Sequence, residues 1–344
     1  MRAFKRRAPP PDVTEYSATH RVCGWRSAIL ACLVALVPLA AVAAAKSDRV
    51  RISASQTAIL VWIAEERGFF RDEGLDVDVE LFQSGLSAVR ALLGGKAQLS
   101  TTADATFVGQ SFERPDLRFL ATISTLETTR LVGRKDHGVE NAVDLAGKRI
   151  GVTLSSASEY FLTRYLTLHG ISADAPVLID LTPSEIAEKL VRGDIDAGFT
   201  WEPFIGNAEH QLKSNAVTLP GQLDQLYYFM LLSTEPWLKK NPDKAERILR
   251  ALIAAETFAI DEASAAKAII QKRFGYRTAD LDRVWHLHNL NVNLPQEMLF
   301  ALEQQAAWQI QKELTQSKTA PNFLSMAATE PLSKVRPASL GIVK

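Results

Sequence analysis

One unit that occurs twice constrains this chain more than any other feature. From Arg49 short apolar runs alternate with helical patterns: "RVRISAS", "TAILVWIAEERGFFRDEG", "LDVDVELF", "SGLSAVRALLGGKA" and "AQLSTT". The first, third and fifth read as strands, the second and fourth as helices. Ser84 is placed to cap the second helix and Gly94-Gly95 to stop it. About 98 residues later the order returns as "KRIGVTL", "SSASEYFLTRYLTLHG", "PVLIDL", "TPSEIAEKLVRG" and "DIDAGFTW". There Thr182, Pro183 and Glu185 form a cap, a first-turn proline and a capping box. At that offset Ile52 meets Ile150, Thr57 meets Ser155, Ser84 meets Thr182, Gly95 meets Gly193 and Asp104 meets Glu202. Few letters agree, so the order of elements carries the match. Strands joined through helices pair in parallel. Two such units predict an α/β chain of two lobes with a cleft between them.

After Pro220 the beat changes. "LYYFMLLST" reads as a strand, and long helical patterns follow in "NPDKAERILRALIAAETFAIDEASAAKAIIQKRFG", "DLDRVWHLHNL" and "LPQEMLFALEQQAAWQIQKEL". The tail "APNFLSMAATEPLSKVRP" reads as partly irregular. The chain is therefore expected to cross to the second lobe near 130–140 and to return near 220–230. That gives residues 46–133 as the first part of lobe one, 134–221 as lobe two and 222–344 as the return to lobe one.

Residues 1–45 read as an export signal. Six basic residues precede the apolar run "SAILACLVALVPLAAVAAA", and Ala-x-Ala sites follow at Ala41–Ala43 and Ala43–Ala45. At about 19 residues the run is barely long enough to span a bilayer, and Pro38 with the alanine-rich tail fits cleavage better than a permanent anchor. A later start, or a twin-arginine role for Arg6-Arg7, stays open. Both cysteines, Cys23 and Cys32, fall in this segment, so the exported chain is expected to carry no disulfide and no thiolate. "ILAC" before Cys32 is a poor lipid-anchor match, because a bulky Leu30 precedes the alanine. Overall net charge is zero, which gives a nucleic-acid partner no electrostatic support.

In open α/β sheets, ligands gather beyond the carboxyl ends of the strands, where helix N-termini point their free N–H groups. Four strand-to-helix junctions stand out: Ser55-Gln56-Thr57, Gln83-Ser84-Gly85, Ser155-Ser156-Ala157-Ser158 and Thr182-Pro183-Ser184. The ends of the two third strands, Thr102-Ala103-Asp104 and Thr200-Trp201-Glu202, join them. The serine cluster at a helix start suits an oxyanion or polar group. Enzymatic motifs are missing: there is no Gly-x-Ser-x-Gly elbow, no phosphate loop and no dinucleotide fingerprint. His286 and His288 stand two apart on a helical pattern and point away from each other, so no metal is expected. His169 before Gly170 reads as a helix end.

At these residues the chain resembles the solute-binding proteins of ABC importers in the nitrate, sulfonate, taurine and thiamine-precursor group, which have the type II periplasmic-binding fold. The resemblance rests on "WIAEERGFFRDEGLDVDVELFQSGLSAVRALLGGKAQLSTT", "DLAGKRIGVTLSSASEYFLTRYLTLHGI", "LVRGDIDAGFTWEPF", "PWLKKNPDKAERILRALIAAETFA" and "NFLSMAATEPLSKVRP". It covers nearly all of 48–340. It implies a periplasmic, monomeric receptor without cofactor or catalytic residue, closing on a small solute and delivering it to a permease and its ATPase. The family's usual contact positions correspond here to Gln56, Thr57, Ser84, Gly85, Thr102, Asp104, Ser155, Ser156, Ser158, Trp201 and Glu202. An enzyme branch of the same fold uses a cysteine-rich motif and a histidine; without cysteine beyond residue 45, that activity is not expected. Two alternatives remain: an enzyme using Asp104 and Glu202 as acid and base, and a sensory solute-binding domain. Helix N-termini and serines suit an anion, while Asp104 and Glu202 would repel one. That conflict favours a mixed polar organic solute over simple nitrate or sulfonate.

Overall fold

The computed structural model describes residues 49–223 and 225–342; the expected export signal with its two cysteines lies outside them. The first pass of the chain gives β1 (Val50–Ser55), α1 (Ile59–Arg67), α2 (Phe69–Asp72), β2 (Val77–Phe82), α3 (Gly85–Leu93), β3 (Leu99–Ala103), α4 (Asp104–Ser111) and β4 (Leu117–Leu126). The second gives β5 (Arg130–Arg134), β6 (Arg149–Val152), α5 (Ala157–Leu168), β7 (Val177–Asp180), α6 (Pro183–Arg192), β8 (Ala197–Thr200), α7 (Phe204–Leu212) and β9 (Ala216–Pro220). The return gives β10 (Tyr227–Thr234), α8 (Glu235–Lys240), α9 (Pro242–Asp261), α10 (Ala263–Phe274) and α11 (Thr278–His286). It closes with β11 (His288–Asn293), α12 (Glu297–Gln311), α13 (Phe323–Met326) and α14 (Thr329–Val335).

Two sheets result, ordered β11-β4-β10-β3-β1-β2 and β7-β6-β8-β5-β9. Each holds one copy of the repeated unit. β1 pairs in parallel with β2 and β3, and β6 pairs in parallel with β7 and β8. Ile52 stands opposite Leu99 and Ile150 opposite Ala197, two pairs related by the offset read from the sequence. An antiparallel strand flanks the third strand of each unit, β10 beside β3 and β5 beside β8. β5 lies across the expected boundary at 133 and pairs within the second sheet.

Local chemistry explains the helix ends. The Ser84 hydroxyl accepts the Ser87 N–H, and Ser87 answers the Ser84 N–H. Thr182 and Glu185 form the same reciprocal pair at α6, with Pro183 in the first turn. The first long helical pattern is broken in two at Gly68, whose φ of 81° places it in the left-handed region. The pattern after Asn241 likewise breaks at Glu262. "DLDRVWHLHNL" is helical only to His286; the asparagine-rich "HNLNVN" pairs with β4 instead, an edge strand that propensity does not favour. The tail holds α13 and α14, more regular than its sequence indicates. No helix among the described residues is long and apolar enough to cross a membrane.

The main core lies around the first sheet and extends to the α5 side of the second, with Trp62, Phe107, Phe119, Phe161 and Phe199 fully buried. α6 and α7 close the other face of the second sheet on a smaller cluster of Ile186, Leu190, Ile195 and Ile205. The two sheets are joined by crossings after β4 and after β9. Gln222, wholly buried, ties them together. Its Oε1 accepts the Thr129 N–H at 2.8 Å, and its Nε2 donates to Leu126 O and Gln225 O at 2.9 and 2.8 Å.

Candidate functional site

The two repeated units meet with the carboxyl ends of their strands facing a common cleft. Its inner end is a small cavity of about 30 Å³ lined from both sheets. Ser55 and Thr57 reach it from the loop after β1, Ser84, Gly85 and Leu86 from the start of α3, and Thr102, Ala103 and Thr106 from the junction of β3 and α4. Ser156, Ala157 and Ser158 come from the start of α5, Trp201 from the end of β8, Thr129 from the first crossing and Tyr227 and Phe229 from β10. A volume of that size holds two or so waters or one compact polar group. Outside it the cleft widens to a groove of about 630 Å³ between α3 and the loops after β6 and β7.

Each polar wall has a local cause. The Trp62 indole N–H donates to the Ser55 carbonyl at 2.8 Å, fixing the loop after β1. Ser156 caps α5: its hydroxyl accepts the Ser158 N–H at 3.2 Å and donates to Thr153 O at 2.6 Å. At α3 the helix start presses against β3, where a Cβ on Gly85 would lie 2.5 Å from Thr102 Oγ1 and 2.9 Å from Thr102 Cα. Only glycine fits there. Thr102 Oγ1 and Ser158 Oγ, both on buried residues, have no partner within the described chain. Four helices of eight or more residues thus begin at the cavity, with hydroxyls between them.

Of the eleven positions marked by the sequence, Thr57, Ser84, Gly85, Thr102, Ser156, Ser158 and Trp201 line the cavity. Ser155 faces the outer groove. Gln56, Asp104 and Glu202 line neither. Gln56 Oε1 receives the Tyr276 hydroxyl at 3.4 Å. Asp104 is fully buried and turned into the first lobe, where its two oxygens accept the Ala105 and Tyr228 N–H groups at 2.8 and 3.1 Å. Burial pushes its carboxyl up to about 6. Glu202 Oε2 accepts the Gly206 N–H at 3.0 Å, and Oε1 lies 2.5 Å from Arg283 Nη2 on α11. Burial raises its carboxyl above the usual range against the pull of Arg283. Neither acid is offered to the cleft, so the pairing of Asp104 with Glu202 as acid and base has no geometric basis.

Sequence reasoning did not mark Tyr227, Phe229, Thr106 or Thr129. The two aromatics belong to the return strand, whose register sets Phe229 opposite Ala103; alternation within "LYYFMLLST" identifies their shared face, but not the strand they pair with. No group of three or more His, Cys, Asp or Glu side chains that could hold a metal ion occurs among the described residues. His288 is partly buried, donates its Nδ1–H to Val284 O at 2.7 Å, and is pushed down to about 4 by desolvation. Arg164 donates to Gln222 O at the crossing, at 2.8 Å.

Residues 56–266, more than half of the chain, match the model of the NMT1/THI5-like family. The chain belongs to that family. This NMT1/THI5-like chain is 32% identical over 142 residues to the taurine-binding periplasmic protein of Escherichia coli, covering 41% of this chain and 44% of that protein. The match therefore spans less than half of that relative's length. It is 24% identical over 257 residues to the 4-amino-5-hydroxymethyl-2-methylpyrimidine phosphate synthase of Aspergillus parasiticus, covering 65% of this chain and 74% of that protein. The solved structure of the alkanesulfonate-binding protein SsuA from Xanthomonas axonopodis pv. citri, bound to MOPS, superposes with a TM-score of 0.73. That superposition covers 82% of this chain and 98% of that one at 16% identity. The likeness establishes the two-lobed periplasmic-binding fold for this NMT1/THI5-like protein.

Proposed function

We propose that this NMT1/THI5-like protein is an exported receptor of an ABC importer. It captures a small organic solute bearing an oxyanion in the cleft and delivers it to a membrane permease, and through that to the ATPase. One observation carries the reading: a cavity walled from both lobes by hydroxyls and helix starts. Such a wall suits binding by hydrogen bonds and dipoles. The relatives named for taurine and sulfonates bind molecules of this chemistry. The conflict over charge also eases, since Asp104 and Glu202 are both spent on internal partners. The eleven positions divide accordingly: those lining the cavity contact the solute, Ser155 meets it on entry, and Gln56, Asp104 and Glu202 support the walls. The lobes are residues 49–126 with the return segment from 227, and 130–220, with the crossings as hinge.

The fungal synthase among the relatives is the ground for a second, enzymatic reading. Purified protein screened against sulfonates, carboxylates, pyrimidines and amines should gain thermal stability with one solute class, and the solute should be recovered intact. Loss of solute with appearance of a product would overturn the receptor reading in favour of the enzyme.

A further inference from the structure

The lobes are joined by more than their two covalent crossings. α11, packed beside α10 and β11 on the first-sheet side, reaches α7 of the second lobe through two arginines. Arg283 Nη2 lies 2.5 Å from Glu202 Oε1, and its Nη1 donates to Glu209 Oε2 at 3.0 Å. Arg277 donates to the Gly206 carbonyl on the same helix. Asp280 stands three residues from each arginine, about one helical turn, and so faces both. It accepts Arg277 Nε–H at 2.5 Å and lies 3.5 Å from Arg283 Nη2, aligning both guanidiniums toward α7. The approach is close: a Cβ on Gly206 would lie 2.7 Å from Asp280 Oδ1 and 3.0 Å from Arg277 Nη2. Both ends of this network adjoin the cleft. Glu202 follows Trp201, which lines the cavity. Tyr276, next to Arg277, donates to Gln56 Oε1 at 3.4 Å, and Gln56 precedes the cavity-lining Thr57. On the α5 side the lobes meet through ring edges, Tyr160 against Trp308 with centroids 5.2 Å apart. Apolar contact is largely non-directional and tolerates sliding; charge-assisted hydrogen bonds with fixed geometry do not.

We infer that α11 is a third, non-covalent tie between the lobes, and that it limits how far the cleft opens. With Glu202, Gly206 and Glu209 bound to α11, the second lobe cannot swing freely about the crossings without parting Arg283 from a buried carboxylate. Such a separation is costly, so the tie favours the closed cleft and holds Trp201 at the cavity wall. The inference stands apart from the receptor reading, since a cleft that converts its solute would be restrained in the same way.

Spin labels on exposed positions of the two lobes, Glu80→Cys on β2 and Glu188→Cys on α6, measure the opening in the purified protein with Cys23 and Cys32 replaced by serine. This parent should give one short distance population. Arg283→Met and Gly206→Ala should each add a longer one, with an unchanged circular-dichroism spectrum. Arg250→Met, which removes an ion pair with Glu73 inside the first lobe, should leave the distances as they are. If Arg283→Met or Gly206→Ala does not fold, Arg277→Met, at a side chain 39% exposed, decides in its place. Parent distances retained in the folded α7 and α11 variants would overturn the inference. A parent already spread over long distances would overturn it too, as would equal broadening by Arg250→Met, because loss of any ion pair would then suffice.

Discussion

Arg283 reaches from α11, on the first-sheet side, to α7 on the second. Its guanidinium lies 2.5 Å from Glu202, 3.0 Å from Glu209 and 3.5 Å from Asp280, beside Arg277, which donates to Gly206 O. Arg283→Met keeps the aliphatic stem and removes the charge. Glu202, 5% exposed, would be left with the Gly206 N–H alone. Removing one partner of a fully buried pair costs about 3–5 kcal/mol. The Arg283 side chain is 31% exposed and the Gly206 bond survives, so the loss should be about 2–3 kcal/mol near neutral pH. The pH dependence is diagnostic. Burial already raises the Glu202 carboxyl, and loss of Arg283 raises it further. A carboxyl raised in the folded state destabilises as pH rises from its unfolded value through its folded one. Well below its ordinary value of 4.5 it is largely protonated in both states, and most of the cost disappears, leaving the share due to Glu209 and Asp280. Urea melts of wild type, Arg283→Met, Glu202→Gln and the double variant at acidic and neutral pH measure this directly. The double variant should lose less than the sum of the singles at neutral pH. A cost independent of pH together with an additive cycle would refute the assignment of Glu202 as the group Arg283 neutralises.

Three further outcomes follow from the same geometry. Asp104, raised from 3.8 to about 6, should make stability fall by about 3 kcal/mol as pH rises between those values; melts of wild type against Asp104→Asn should show a slope shallower by that amount in the variant, and equal slopes would refute the assignment. Gln222→Leu strips three buried bonds from the two crossings and should cost about 2–4 kcal/mol, with a broader interlobe distance distribution by scattering or spin labels; an unchanged melt would show that the crossings do not depend on it. Gly85→Ala drives a methyl against Thr102 and should cost about 1–3 kcal/mol while weakening solute binding in calorimetry; wild-type affinity would mean that the α3 start is not part of the site.

How much of this was legible in the sequence follows the range of the physics involved. The repeat was legible because strand and helix periods, the Ser84 and Thr182 caps and the Gly94 and Gly193 stops are local, and the pairing of Ile52 with Leu99 and of Ile150 with Ala197 then follows from topology. The hydroxyl-lined helix starts were legible for the same reason. What the return segment does was not. Nothing within "HNLNVN" states that β4 is its neighbour, and nothing near Phe229 states that Ala103 is. The orientation of the two strand-end acids lay furthest out of reach, and it bears most on the solute. At the offset that aligns the two units, Asp104 and Glu202 occupy equivalent places, and a carboxylate there reads as a cleft wall that repels anions. Each is turned away by a partner more than 80 residues along the chain, Tyr228 for one and Arg283 for the other. In the inner cavity, then, the return segment decides which charges are absent: β10 and α11 hold the two carboxylates from behind, and the hydroxyls and helix starts remain as its polar wall.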